Sequence, residues 1–325
     1  MSRRLAAIMY HYVRPLARTR FPAIKGLDLA LFRAQLDHLQ RHATIIPAAM
    51  LFDAASGAEL PPRAVLLTFD DGYADHYAYV FPELCRRGLT GAFFPPAAAV
   101  RERVILDVNK VHFTLAAVAD AAALAAEMED LLRARAAEFE LKPLDAYRRE
   151  LWVPNRFDPP EVNYLKRMLQ HALPVALRGW IADRLFERHV CADQGAFAEE
   201  LYVSLDQLRV MRQAGMVIGG HGDRHVWLDR VEAPDLAREI DAGTALMDAV
   251  GMPAERWSLC YPYGANSPEV LRLLAASGCR VAFTSDVGLA DFAVDSPLLL
   301  PRLDTNHLPK DAALPPGEWL EALAP

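Results

Sequence analysis

The sequence predicts an α/β protein built of strand–helix units, with a helical segment inserted part-way along. Three observations predict it. Short apolar runs recur with helix-like stretches between them, the pattern of βα units. One of those runs, Val65 to Phe69, ends in the adjacent carboxylates Asp70 and Asp71, and strand ends of α/β folds are where ligands and catalytic groups gather. The alternation then stops between about residues 101 and 200 and resumes afterwards.

The apolar runs place strands at 5–10, 43–46, 64–69, 90–94, 216–219, 257–261, 280–284 and 298–302. Helices are expected between them at 29–41, 76–87, 204–214, 233–250 and 267–277. The last has a complete start signal, with Ser267 as N-cap, Pro268 at the first position and Glu269 in the first turn. Gly88, Gly215 and Gly278 follow the last turns of their helices. The interrupting stretch reads as helical, over 114–139, 144–151, 161–171 and 174–189, punctuated by Pro143, Pro154, Pro159, Pro160 and Pro174. It is expected to be an insertion at 101–200 within a single domain spanning 1–325, serving as a lid, a specificity element or a homo-oligomer interface. Asp107, Asn109, Lys110 and His112 cluster near its start.

Composition narrows the function. The chain has 325 residues, 53% of them hydrophobic, enough for one large domain. A net charge of −7 with no Lys/Arg block argues against a nucleic-acid partner. No stretch approaches the roughly 18 apolar residues of a membrane helix. The alanine-rich segment 114–137 is interrupted by Asp120, Glu127, Glu129 and Asp130. The N-terminal apolar run is short and ends in Tyr10-His11-Tyr12 without a small-residue cleavage site, so it reads as a first strand and not as a signal peptide. The four cysteines form no C-x-x-C pair, which fits reduced thiols in a cytoplasmic protein.

Four stretches carry chemistry. Asp70 and Asp71 end an apolar strand and need a cation, a metal or a reacting proton, because an unpaired buried charge is very costly. His221 and His225 stand in a glycine-rich turn, Gly219-Gly220-His221-Gly222-Asp223-Arg224-His225, after another apolar run. Two histidines and one carboxylate are a common ligand set for a catalytic zinc that keeps a position open for water. Tyr261-Pro262-Tyr263-Gly264 follows a third strand, where backbone N–H groups can bind an oxyanion and aromatic faces suit a sugar. Arg302 follows a fourth run and can orient a carboxylate with its fork of donors, and His307 beyond it can give a proton near neutral pH. His11, closing the first strand, is a further candidate to face the site.

Thr68-Phe69-Asp70-Asp71-Gly72, then His221-x-x-x-His225, then Tyr261-Pro262-Tyr263-Gly264, in that order, resemble the polysaccharide deacetylases (the NodB-homology group, carbohydrate esterase family 4). The resemblance covers roughly residues 5–100 and 200–305. It implies a distorted (β/α)7-type barrel with a helical insertion. It implies further that Asp71, His221 and His225 hold a divalent metal, usually Zn2+. Asp70 would then be the base that activates a metal-bound water, and the N–H of Tyr263 would help bind the oxyanion. Tyr261 and His11 are, from their places at strand ends, candidates to face the same site. Two positions depart from the pattern: Gly222 where many members have Ser or Thr, and Cys260 where many have Arg. Arg302 is the candidate replacement for that Arg and His307 the candidate general acid. The implied reaction is removal of an N-acetyl group from an amino sugar in a glycan or in a lipid- or nucleotide-linked precursor. Two alternatives remain open on the sequence: a deformylase or other hydrolase of small amides, and a non-catalytic glycan-binding homologue.

Overall fold

The computed structural model describes residues 2–155 and 158–324. They form two compact units. The first comprises Met1–Pro15, Gly26–Val104 and Ala198–Pro325, the second Leu16–Lys25 and Ile105–Phe197.

The first unit is a barrel of parallel strands. We number them β1 (Arg4–Tyr10), β2 (Ala64–Asp70), β3 (Ala92–Phe94), β4 (Val217–Ile218), β5 (Ser258–Cys260), β6 (Val281–Val287) and β7 (Leu300–Asp304). Their spatial order is β4-β3-β2-β1-β7-β6-β5, and every one of these pairings is parallel. A parallel bridge between Gly220 and Leu259 joins the two outer strands. There Gly220 N–H donates to Ser258 O at 2.9 Å and Cys260 N–H to Gly220 O at 3.0 Å, so the sheet nearly closes on itself. Closure of this kind leaves few strand edges to protect. All seven residues of β2 are buried, as expected of a strand covered on both faces. Two short additions pair at the strand starts, Thr44–Ile45 parallel to β2 and Ala290–Asp291 antiparallel to β1. Because the strands are parallel, their C-terminal ends share one face.

Surrounding helices include α1 (Leu29–His42), capped by the Asp28 side chain on Ala30 N–H. In the second unit lie α2 (Asp107–Ala117), α3 (Ala121–Arg135), α4 (Leu144–Leu151), α5 (Pro160–Arg167) and α6 (Val175–His189). Back in the barrel unit come α7 (Leu205–Gln213), α8 (Ala233–Val250) and α9 (Pro268–Ala276). A capping box at Ser204 and Gln207 starts α7, and the Ser267 side chain caps α9. Among the described residues no helix is long and apolar enough to cross a membrane.

Two local expectations are corrected. The helix expected over 114–139 is two helices, α2 and α3. The Asp120 side chain accepts from the N–H groups of Ala122 and Ala123, so an N-cap overrides the alanine-rich helical preference around it. The helix expected over 76–87 begins with a wider turn at His76–Val80 before Phe81–Arg86. Pro82, which has no N–H to donate, stands at that junction. The helical unit has its own core, including Leu124, Met128, Leu165, Met168, Leu177 and Ile181.

Candidate active site

The site is assembled from the C-terminal ends of the barrel strands. Asp70 is the last residue of β2 and 1% exposed. From β7, buried Arg302 meets it with both fork nitrogens, Nη1 to Oδ1 at 3.0 Å and Nη2 to Oδ2 at 2.8 Å. The guanidinium is itself fixed: Nε donates to Thr284 O at 3.0 Å and Nη1 to Thr68 Oγ1 at 3.2 Å. Burial alone would raise the Asp70 pKa; the charge and hydrogen bonds of Arg302 oppose it most strongly, and the carboxyl is held down at about 2. Cys260, at the position where the sequence pattern anticipates an arginine, is fully buried, and its thiol is pushed well up, first by burial and also by Asp70. The positive charge beside Asp70 therefore comes from β7 rather than from β5.

Asp71 is one residue further on, in left-handed backbone with φ of 72°. That turn sends its side chain away from Arg302 and toward the loop after β4. His221 Nε2 and His225 Nε2 each stand 3.3 Å from Asp71 Oδ1. The three donor atoms lie within 4.8 Å of one another, and all three residues are buried. Asp71 Oδ1 nonetheless has no hydrogen-bond partner, whereas Oδ2 accepts from Tyr73 OH at 2.6 Å. His221 Nδ1 lies 2.7 Å from Cys260 O. A carbonyl oxygen only accepts, so that nitrogen carries the hydrogen and neutral His221 turns the lone pair of Nε2 toward Asp71. A carboxylate oxygen facing an imidazole lone pair in a buried site is the donor set of a cation site.

Left-handed backbone is concentrated here. Of the five described non-glycine residues with positive φ, Asp71, His225 and Tyr263 belong to this site. Such conformations cost of order 1–3 kcal/mol each and persist where surrounding structure enforces them. Tyr263, at φ 58°, packs its ring 4.6 Å from that of His225 and stacks on Trp227 at 4.7 Å. His11 follows β1, whose Tyr10 pairs in register with Phe69, which places His11 beside Asp70. A charge on His11 lowers the pKa of both Asp70 and Asp71.

Other expected residues are placed elsewhere. Tyr261 is 1% exposed and its hydroxyl donates to Leu298 O at 2.8 Å, so it packs the barrel wall instead of facing substrate. His307 lies in the turn after β7, where its Nδ1 accepts from Asp304 N–H at 3.0 Å and closes a capping box. Lys110 pairs with Asp107 and Asp183 inside the helical unit, at 3.1 and 2.7 Å. Two residues of the site were not singled out from the sequence. Tyr73 holds Asp71, and Glu239 accepts from the loop that carries the histidines. Glu239 did leave a signal: it lies in the buried stripe Leu236, Glu239, Ile240, Gly243, Leu246 of α8, where an acid needs a partner.

Residues 154–282 match the family model "Polysaccharide deacetylase". The matched stretch is 129 of the chain's 325 residues. The matched stretch contains both histidines and the Tyr-Pro-Tyr-Gly turn, and Asp70 and Asp71 precede it. The match indicates a hydrolase of the carbohydrate de-N-acetylase class. Solved structures share its fold. The deacetylase PplD of Streptococcus pyogenes, in complex with acetate, is 15% identical, with a TM-score of 0.56 over 93% of this chain and 92% of that one. IcaB from Ammonifex degensii is 18% identical, with a TM-score of 0.53 over 93% and 91%. A de-N-acetylase from Aggregatibacter actinomycetemcomitans is 16% identical, with a TM-score of 0.53 over 96% and 97%. No curated protein sequence matches the chain.

Proposed function

We propose that this deacetylase is metal-dependent and removes an N-acetyl group from an amino sugar carried in a glycan or in a lipid- or nucleotide-linked precursor. The observation that carries the reading is the convergence of Asp71, His221 and His225 beside the paired carboxylate of Asp70. Those three residues would hold a divalent ion, and two imidazoles with one carboxylate favour Zn2+. Bound there, the ion would supply Lewis acidity toward a water and toward the acyl oxygen.

The chain's own groups supply the rest. Asp70 takes the proton of the attacking water on a carboxylate oxygen, and Arg302 favours the ionised form of that carboxylate. The backbone N–H of Tyr263 donates to the oxygen on which negative charge develops. The C–N bond then breaks and the amine nitrogen needs a proton. We assign that proton to His11, because strand register sets it beside Asp70 and its charge is felt by both aspartates. His307 would have to deliver a proton from Nε2, since its Nδ1 is taken by the Asp304 N–H.

We read the helical unit as an insertion within one deacetylase domain, since the chain leaves the barrel after β3 and re-enters it before β4. The four free cysteines fit a reducing, cytoplasmic setting. The test is acetate release from N-acetylglucosamine oligomers and from nucleotide-linked N-acetylglucosamine. Release that stops on chelation and returns with zinc supports the reading. Release indifferent to chelation rejects the metal, and hydrolysis confined to small formamides rejects the substrate class.

A further inference from the structure

We propose that Glu239 is a positioning residue for the histidine loop, setting metal affinity by gripping the backbone ahead of His225; this rests on the metal reading above. The two histidines are oriented differently. His221 is fixed through its ring, by the contact of Nδ1 with Cys260 O. His225 has no such support, for its Nδ1 is buried without a hydrogen-bond partner. The ring touches His221 and Tyr263, which restrains tilt but supplies no directional bond. The position of His225 must therefore come from its backbone, which is left-handed at φ 55° and would relax if released.

Glu239 supplies the hold. One oxygen of its buried carboxylate, Oε2, accepts from the N–H of Asp223 at 2.6 Å and from the N–H of Arg224 at 3.1 Å. These are the two residues immediately before His225. The carboxylate is carried on the core-facing side of α8, an 18-residue helix, so the loop is tied to a rigid element. Gly222 belongs to the same device. Its φ is 69°, and a Cβ there would lie 2.7 Å from Glu239 Oε2. A serine or threonine at 222, which the sequence pattern anticipates, would push the carboxylate off the loop. The departure at Gly222 is thus the space that Glu239 occupies.

The experiment measures Zn2+ affinity of the full chain by competition with a chromophoric chelator. Groups that orient metal ligands change affinity by roughly 10–100-fold when removed. Glu239→Ala is expected to weaken zinc binding by that factor. Glu239→Gln, whose amide oxygen can accept the same two N–H groups, is expected to recover most of the loss. Glu239→Asp keeps the charge but is one methylene short, and is expected to resemble alanine. Glu129→Ala in the helical unit controls for general destabilisation: it lowers the melting temperature and leaves zinc affinity unchanged. If Glu239→Ala does not fold, the contrast between Gln and Asp decides alone. The proposal is overturned if the Ala or Asp variant binds zinc within about threefold of wild type, a margin under 1 kcal/mol, or if Gln is no better than Asp. Wild type that binds no zinc overturns the metal reading itself, and that result is seen before any variant is made.

Discussion

Glu129 in the helical unit and Asp71 at the barrel's strand ends are both buried acids, exposed by 1% and 4%, yet their surroundings differ in kind. Glu129 is saturated: Arg148 donates to both of its oxygens, Arg133 to one and Tyr164 OH to the other. Asp158 in the same unit is likewise held by Lys25 and Lys166, at 2.6 and 2.8 Å. Asp71 has one oxygen bonded to Tyr73 and one orphaned between two imidazoles. Burying a polar atom without a partner costs about 1–3 kcal/mol, so a fold keeps such an atom where something else binds it. Saturated acids hold the helical unit together. We propose that the unsaturated one marks where the barrel unit reacts.

The largest effect should come from the unsaturated cluster. Asp71→Ala or His221→Ala is expected to abolish zinc binding and reduce acetate release to background; full activity in either variant rejects the assignment. Next come the proton-transfer groups. Asp70→Asn and His11→Ala should each lower kcat by about 10²–10⁴ while zinc still binds. His11→Ala at wild-type rate would return the acid's role to His307.

Arg302→Ala separates ionisation from metal binding. Burial then acts on Asp70 without its main opponent, so its pKa rises, and the acid limb of kcat/KM should move up by about one to three pH units. The sign follows from the folded-state value near 2, below the ordinary 3.8. The stabilisation it brings is full above the ordinary carboxylate range and is lost as pH falls through 2. An unmoved acid limb would show that Asp70 is not the group it reports.

On the other side of the contrast, Glu129→Ala should cost about 1–3 kcal/mol of stability, read from urea unfolding, without touching zinc affinity. The smallest effect is expected at His307. Its alanine variant loses one cap bond, about 0.5–1.5 kcal/mol, and under tenfold in rate.

The barrel was legible in the sequence because each buried strand is a short apolar run; β2 is the clearest, ending in the polar pair that builds the site. Short runs such as Val217–Ile218 were found because Met216 and Gly219 frame them. The break at Asp120 was misread because alanine propensity is continuous across it and only the side-chain cap interrupts it. In the site, Asp70, Asp71, His221 and His225 were visible as charges at strand ends. Tyr261 was misplaced because strand alternation would set Tyr261 and Tyr263 on one face, whereas the turn at Pro262, with Tyr263 in left-handed backbone, separates them. Glu239 was passed over because its partners are backbone N–H groups, which no side-chain motif records.

The most direct test is anomalous diffraction at the zinc edge from crystals of the full chain grown with zinc. A single strong peak bonded by Asp71 Oδ1, His221 Nε2 and His225 Nε2, with none at Glu129 or Asp158, is the predicted result. The absence of a peak at Asp71, or zinc bound at the saturated acids instead, would contradict the account.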